Sequence, residues 1–128
     1  MKKIMKKSPS LVFQPVGDEE LTAFLKPYFG DKNLPEACEG STMFVKVGRD
    51  VVAIVSFLVR GEEMIITQLY VLPEYRNFGI GTDILEALSQ FEGVRFLRVI
   101  ATPSTAAYYE DRGFEPDQGY VVMTKVLI

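Results

Sequence analysis

The sequence predicts an α+β fold, with a central mixed, mostly antiparallel sheet and helices on both of its faces. Strand patterns at residues 42–47, 51–59 and 64–71 are joined by turns so short that neighbouring strands must be antiparallel. A helical pattern at residues 80–91 then leads to a strand at residues 96–101, and such a crossover makes its two flanking strands parallel. The almost continuously apolar middle strand indicates burial on both faces.

Two elements precede this centre. Residues 11–16 have the pattern of a short first strand, and residues 18–29 that of a helix with its apolar side chains on one side. Asp18 is predicted to cap this helix, and Pro27 to kink or end it. Residues 30–40 have the composition of a loop.

A short helix and a strand complete the predicted fold. Thr102 is predicted to cap the helix, with Pro103 in its first position, and the helix to run to Arg112. Gly113 would supply the left-handed residue that ends it. The last strand is predicted at residues 120–127.

The last strand has little space before it for a partner, because Pro116 and Gly119 interrupt the preceding residues. We therefore expect this strand either to pair differently or to exchange between two subunits, which makes a homodimer one hypothesis.

Composition restricts the function and the location. The 128 residues fit a single domain spanning 1–128, and a net charge of −3 argues against a nucleic-acid partner. The longest apolar run is strand-sized, so no membrane span is predicted. Cys38 is the single cysteine, which suits a reducing compartment, and we expect a cytoplasmic protein. The sequence has no histidine, which excludes histidine-based metal sites, and we predict no metal.

The segment most suited to chemistry covers residues 71–82, V-L-P-E-Y-R-N-F-G-I-G-T. A strand ends there, a loop carries Arg76, Gly79 and Gly81, and a helix begins. Unpaired N–H groups at a helix start can hold a diphosphate, and glycines let the backbone approach it closely. A Walker loop would need a lysine before Thr82, and a Rossmann fingerprint a third glycine or alanine at Ile84, so both fit poorly.

The pattern R-x-x-G-x-G resembles that of the GNAT superfamily of N-acetyltransferases. Two flanking segments are also similar to this family: L-Y-V-L-P-E-Y-R at residues 69–76, and A-A-Y-Y-E-D-R-G-F at residues 106–114. The two signatures occur in the family's order, about one strand–helix unit apart. The resemblance covers roughly residue 42 to the C-terminus, and it implies that acetyl-CoA is the acyl donor.

The resemblance also implies roles for particular residues. Tyr109 would be the general acid that protonates the departing thiolate, and the backbone N–H of Val71 the oxyanion donor. The end of the strand, residues 69–71, would bind the pantetheine arm, and the turn at residues 77–82 would bind the diphosphate. Arg76 would add a charged donor. The implied cofactor-binding residues are Leu69, Tyr70, Val71, Arg76, Asn77, Phe78, Gly79, Ile80, Gly81, Thr82, Thr102 and Tyr109.

Two positions differ from the family pattern. Thr102 stands where the family often has asparagine, so a cofactor contact competes there with a plain helix cap. The family often has a glutamate on the fourth strand as general base, but the corresponding positions are Thr67 and Gln68, which do not titrate. A water chain through either of them is one alternative. The base remains unassigned; further carboxylates near in sequence are Glu36, Glu39, Glu62 and Glu63.

Several of these residues also have plain structural interpretations. The glycines could simply shape a turn, Arg76 could be a surface residue, and aromatic residues in a short helix usually pack in the core. Tyr108 competes with Tyr109 for the acid role. The acidic residues Asp31, Glu36 and Glu39 are either solvated or face a cationic amine.

The first functional hypothesis is an enzyme that transfers an acetyl group from acetyl-CoA to a primary amine by direct attack in a ternary complex. The acceptor, a small molecule or a peptide, is not identified by the sequence. The alternative is a catalytically degenerate regulatory module that binds acetyl-CoA, and a plain interaction domain is the third hypothesis.

Overall fold

The computed structural model describes residues 10–30, 41–101, 103–117 and 120–126. The helices are α1 (Asp18–Phe29), α2 (Ile80–Leu88) and α3 (Ala106–Glu110), and a single 3-10 turn covers Pro73–Tyr75. The strands are β1 (Val12–Pro15), β2 (Ser41–Val47), β3 (Asp50–Arg60), β4 (Glu63–Val71), β5 (Phe96–Ile100), β6 (Glu115–Asp117) and β7 (Tyr120–Val126). No helix among these residues is long and apolar enough to cross a membrane.

The strands form one seven-stranded sheet in the order β1-β2-β3-β4-β5-β7-β6. Its strand pairs are antiparallel except β4 with β5, which are parallel because α2 crosses between them. The predicted α+β class with a mixed, mostly antiparallel sheet is therefore confirmed.

Helices cover both faces of the sheet, as predicted. Side chains of β3 alternate between two apolar clusters: Ile54 packs with Leu21 and Leu25 of α1, whereas Ala53 and Val55 pack in the cluster that contains α2 and α3. Residues 52–57 of β3 are all buried, which matches its apolar sequence.

The start of α1 differs from the sequence prediction, and the helix ends after Pro27 rather than at it. Gly17 is the N-cap residue, so Asp18 lies in the first turn, where a carboxylate still interacts favourably with the helix dipole. Pro27 does not end the helix, which continues to Phe29. Gly30 closes the helix by donating its N–H to the carbonyl of Lys26.

The two helices after β4 are shorter than predicted. α2 ends at Leu88 rather than residue 91, because the chain turns after Ser89 and Phe91 packs edge-on against Phe57 instead. α3 starts at Ala106, since residues 103–105 form a turn, so Pro103 is not its first residue. Thr102 lies outside the described residues.

The end of the sheet also corrects the sequence prediction. Gly113 has the predicted left-handed backbone, with a φ of 93°. A short strand, β6, does form after it despite Pro116, and it occupies the edge of the sheet beside β7. β7 pairs with β5 of the same chain over Phe96–Ile100, so the strand needs no second subunit.

One exposed hydrogen bond ties α1 to the turn after β4. The Tyr28 hydroxyl donates to Oε2 of Glu74 at 2.8 Å, and this bond is the main cause that raises the pKa of Tyr28 to about 12. The folded pKa exceeds the unfolded value of about 10. The bond therefore stabilises the fold fully below pH 10, and this stabilisation is lost as the pH rises towards 12.

We expect Tyr28→Phe to lower the free energy of unfolding by about 0.5 kcal/mol at pH 8, as for an exposed hydrogen bond. The difference from the wild type should shrink between pH 10 and 12, because the wild-type tyrosine then ionises beside a carboxylate. Urea unfolding at several pH values measures both effects. A difference that stays constant to pH 12 would contradict this role of the bond.

Candidate active site

The site begins where β4 and β5 separate. They pair only between Glu63–Ile66 of β4 and Phe96–Val99 of β5 in the described chain. The register of β4 against β3 shifts at the same place, because Ser56 opposes Gln68 while Phe57 opposes Ile66. Thr67 is therefore the extra residue of a β-bulge, which bends β4 away from β5.

Beyond the bulge, backbone groups of β4 point into the gap between these strands. Leu72 donates its N–H to the carbonyl of Val52 at 2.9 Å, which makes Ala53 and Val71 a non-hydrogen-bonded pair of the antiparallel ladder. The N–H and C=O of Val71 thus point away from β3, and alternation gives Leu69 the same orientation. Tyr70 is the exception among the predicted backbone donors, since its N–H and C=O face Ile54 on β3.

The turn after β4 aims a helix start at this gap. Asn77 and Gly79 both have left-handed backbones, with φ of 72° and 80°. Asparagine and glycine are the residues that adopt this conformation most readily. Gly79 is the N-cap of α2, and no side chain caps the helix. The first N–H groups of α2 therefore remain available to an anion.

A cleft of about 630 Å³ joins these features. This volume suits a substantial organic ligand. Its charged lining residues are two arginines, Arg76 and Arg112, and no carboxylate lines it among the described residues. The residues that line it are Leu69, Tyr70, Val71, Tyr75, Arg76, Asn77, Gly79, Ile80, Gly81, Thr82, Ser104, Thr105, Tyr108, Tyr109 and Arg112.

Comparison with known proteins identifies this arrangement. The family model for the acetyltransferase (GNAT) domain matches residues 39–116. The chain belongs to the GNAT acetyltransferase family. This confirms the family resemblance drawn from the two sequence motifs, and with it, at the level of the family, the prediction of an acyltransferase. No curated protein matched the chain.

Solved structures show the same fold at low sequence identity. An acetyltransferase from Thermus thermophilus aligns with a TM-score of 0.67 and 17% identity, over 90% of this chain and 94% of that one. YhhK from E. coli, bound to coenzyme A, aligns with a TM-score of 0.68 and 18% identity, over 94% and 99%. A GNAT acetyltransferase from Elizabethkingia anophelis with acetyl-CoA bound aligns with a TM-score of 0.60 and 12% identity, over 94% and 100%.

Arg76, the first residue of the GNAT turn motif, is held against β4. Its Nε donates to the carbonyl of Val71 at 2.8 Å, and its guanidinium lies 5.1 Å from the centre of the Tyr70 ring. The outward carbonyl of Val71 is therefore satisfied by Arg76, while the N–H of Val71 keeps its direction into the gap. Arg76 also lines the cleft and brings a positive charge to it.

The two adjacent tyrosines of the second GNAT motif line the cleft from α3. Tyr109 is 8% exposed and packs edge-on against Tyr108 and Phe114. Burial, reinforced by Tyr108, raises the pKa of Tyr109, and Arg112 opposes the shift. Tyr109 is therefore protonated at neutral pH, which a general acid requires.

Tyr108 is more exposed and is fixed by an arginine one helical turn later. The Arg112 guanidinium lies 3.5 Å from the centre of the Tyr108 ring, and its Nη1 donates to the Tyr108 carbonyl at 2.8 Å. Its Nε donates to Oγ1 of Thr82 at 2.7 Å, which joins the turn after α3 to the first turn of α2. The Tyr108 hydroxyl lies directly over Gly81, where a Cβ would overlap it.

The two positions of the GNAT turn thus require glycine for different physical reasons. Gly79 supplies a left-handed backbone, whereas Gly81 leaves room for Tyr108. We expect Gly81→Ala to lower the free energy of unfolding by about 1–2 kcal/mol, because Tyr108 must leave its position on Arg112.

Tyr108→Phe should relieve this clash, since the ring carbon that bears the hydroxyl lies 3.4 Å from the Cβ position, an ordinary contact. Denaturant unfolding of the wild type, the two single variants and the double variant measures the coupling. If Gly81→Ala lowers the free energy of unfolding equally with and without the Tyr108 hydroxyl, this account of Gly81 is wrong.

Two of the carboxylates near β4 in the sequence, Glu62 and Glu63, lie away from the cleft. Glu62 and Glu63 form ion pairs with Arg95 and Arg98, at 3.7 and 3.1 Å. Glu63 lies at the start of β4, about 27 Å along the strand from Val71 at the usual rise per residue. Neither carboxylate lines the cleft. Glu36 and Glu39, together with Asp31, lie outside the described residues.

Thr67 and Gln68, both partly buried, belong to a polar group that crosses β2, β3 and β4. The Ser56 hydroxyl donates to Oε1 of Gln68 at 3.3 Å and lies 2.8 Å from Oγ1 of Thr42. The Thr67 hydroxyl donates to the Ser56 carbonyl at 3.3 Å. These contacts fix both side chains at the bulge.

Ten of the twelve predicted cofactor-binding residues line the cleft. Phe78 does not, and its side chain is 73% exposed, while Thr102 lies outside the described residues. Their individual roles remain predictions. Sequence reasoning missed Tyr75, Ser104, Thr105 and Arg112 as lining residues. The available signal was the four-residue spacing from Tyr108 to Arg112, which places both on one side of a helix.

Proposed function

We propose that this protein transfers an acetyl group from acetyl-CoA to a primary amine by direct attack in a ternary complex. The observation that carries the proposal is the outward backbone of Leu69 and Val71 beside the uncapped start of α2. An extended arm can pair with the outward backbone of β4 as a strand would, and a diphosphate can bind the N–H groups at the start of α2. One cleft joins both, and its charged groups are cationic.

The residues of the cleft suit this cosubstrate. The backbone of Leu69 would hold the pantetheine arm, the Val71 N–H its thioester end, and the N–H groups of Gly79 to Thr82 the diphosphate. Arg76 and Arg112 would balance its charge. Acetyl-CoA supplies the acetyl group as a thioester, which is activated towards an amine.

Two groups would assist the transfer. As the amine nitrogen bonds to the acetyl carbon, charge grows on the carbonyl oxygen, and the Val71 N–H is aimed to donate to it. The charge leaves this oxygen as the carbon–sulfur bond breaks and the carbonyl re-forms. The Tyr109 hydroxyl would give its proton to the sulfur that leaves. The amine must also lose one proton to solvent before it attacks, because an alkyl amine with a pKa near 10.4 is charged at neutral pH. The nitrogen loses a second proton to solvent as the amide forms, and solvent restores the proton that Tyr109 gave to the sulfur.

A degenerate acetyl-CoA-binding module remains the second candidate, because Thr67 and Gln68 occupy the positions at which the family often has its base. Neither side chain can act as a base at neutral pH, and the Gln68 amide accepts a hydrogen bond from Ser56. A panel of amines that includes amino acids, polyamines and peptides, with detection of the released thiol, separates the two candidates. Thiol release that depends on an amine supports the enzyme, whereas acetyl-CoA binding without release on any amine supports the module.

We also propose a cytoplasmic location and a small-molecule or peptide acceptor. The single cysteine, which rules out an internal disulfide, supports the location, and the low pI is compatible with a cationic amine as acceptor. Fractionation of the native cells tests the location, and a secreted or membrane-bound pool would contradict it.

A further inference from the structure

Two buried hydroxyl groups lie in an otherwise apolar part of the sheet. Thr42 and Ser56 are 5% and 0% exposed, and they are the buried polar residues among those that the structure describes. They oppose each other on β2 and β3, and Ser56 opposes Gln68 on β4, so the three side chains form one row across three strands. Ser56 shares its sheet face with Ile54, which packs in the cluster that contains α1. The row therefore lies on the α1 face, where a buried hydroxyl is costly unless it is hydrogen-bonded.

The hydrogen bonds of this row run in one direction. The Ser56 hydroxyl gives its single proton to Oε1 of Gln68 at 3.3 Å. Its oxygen therefore accepts the bond that it shares with Thr42 at 2.8 Å, and the Thr42 hydroxyl is the donor. The carbonyl of Ser56 also accepts from the Thr67 hydroxyl at 3.3 Å. Ser56 thus holds both Thr67 and Gln68 at the bulge, each through a different polar group.

The row lies where β4 loses one of its two neighbouring strands. β4 pairs with β5 only as far as Ile66 in the described chain, so β3 is the strand that holds the residues after it. Leu69 follows Gln68 directly, and Val71 comes two residues later; both direct backbone groups into the gap. The bulge determines which groups these are, because a shift of register by one residue would turn the Val71 N–H towards β3.

We propose that Ser56 and Thr42 are positioning residues for the acetyl transfer: they hold the bulge of β4 and so keep the Val71 N–H directed at the thioester oxygen. The proposal rests on the proposed function. Apolar side chains would fill these two buried positions without the cost of removing hydroxyls from water. What the hydroxyls add is the tie to Gln68, at the start of the segment that would bind the thioester. An oxyanion donor must be placed closely, because a displacement of about 1 Å can cost about 100-fold in rate.

Ser56→Ala removes the hydroxyl that holds Gln68 but keeps the backbone carbonyl that holds Thr67. We expect kcat to fall about tenfold, as for a small displacement of the oxyanion donor, while the Kd for acetyl-CoA stays within about threefold. In Val71→Pro, which lacks the N–H, Ser56→Ala should lower kcat by no more than about twofold. Steady-state kinetics with the best amine of the panel and calorimetry with acetyl-CoA measure these quantities. The coupling to Val71 separates positioning from a general loss of packing, which would lower kcat in both backgrounds.

Thr42→Val tests the same row with a side chain of similar size. It should lower kcat about threefold, because Ser56 loses its donor, whereas Thr42→Ser keeps the hydroxyl and should restore kcat. Thr124→Val is the matched control: that hydroxyl is also buried, on β7, and has no hydrogen-bond partner within the described chain. This control should leave kcat unchanged. The three threonine variants decide the question if Ser56→Ala does not fold.

The outcomes distinguish this proposal from the proposed function. If the folded wild type releases no thiol with any amine, the proposed transfer fails and the positioning role fails with it. If the wild type transfers acetyl groups and folded Ser56→Ala keeps kcat within about twofold, the transfer stands and the positioning role is overturned. The role is also overturned if Thr42→Val and Thr124→Val lower kcat equally, or if Ser56→Ala lowers kcat by the same factor with and without the Val71 N–H.

Discussion

Tyr109→Phe is expected to lower kcat about 100-fold or more, the usual effect of removing a general acid, and to leave the Kd for acetyl-CoA within about twofold. The ring is buried against Phe114 and Tyr108, so phenylalanine should pack in its place. Only the proton that would go to the leaving sulfur is lost. Steady-state kinetics with the best amine of the panel and calorimetry with acetyl-CoA measure the two quantities.

Tyr108→Phe is the matched control, since it removes a hydroxyl from the neighbouring tyrosine in the same helix. It should keep kcat within about threefold if Tyr109 is the acid. If Tyr108→Phe abolishes turnover and Tyr109→Phe does not, the roles are reversed and Tyr108 is the acid.

The pH profile provides an independent check on Tyr109. Burial raises its pKa above the usual value of about 10, so more than half of the protein keeps this proton at pH 10. A loss of kcat caused by its ionisation should therefore have its midpoint above pH 10. The Tyr109→Phe variant should lack this alkaline decline.

Val71→Pro is expected to lower kcat about 100- to 1,000-fold, the usual effect of removing an oxyanion donor. The fold should tolerate the change, because the N–H that proline lacks points into the gap and not towards β3. The hydrogen bond from Arg76 to the carbonyl of residue 71 can remain. Kinetics and thermal unfolding test the two parts of this prediction.

Two variants serve as controls for Val71→Pro. Val71→Ala keeps the N–H and should keep most of the activity. Tyr70→Pro removes an N–H that faces Ile54 and should cause a much larger fall in Tm, since it breaks the ladder with β3. A folded Val71→Pro variant with kcat within threefold of the wild type would rule out the Val71 N–H as oxyanion donor.

The sequence contained enough information for the fold, but less for the ends of its helices. Short turns and apolar alternation are local signals, and they predicted the antiparallel strands and the crossover. The end of α2 depends on Phe91 packing against Phe57, a contact between residues distant in sequence. Strand β6 forms because β7 offers it an edge, which residue preferences around Pro116 do not reveal.

In the site, too, the features carried by a local motif were predictable from the sequence, and those that depend on contacts between distant residues were not. The glycines and Arg76 were recognisable from the turn motif. The sequence could not show that the backbone N–H of Tyr70 points towards β3 while that of Val71 points into the gap. These directions depend on the register of β4 against β3, in which Val71 opposes Ala53. Likewise, the reason for Gly81 is the Tyr108 hydroxyl, which approaches it from another helix.

Calorimetric titration with acetyl-CoA tests the central claim most directly, with ADP and pantetheine as separate controls. The account predicts micromolar binding of acetyl-CoA and much weaker binding of either half alone, because β4 would hold one half and the start of α2 the other. No binding of acetyl-CoA by protein shown to be folded would contradict the account, and the cleft would then have another ligand.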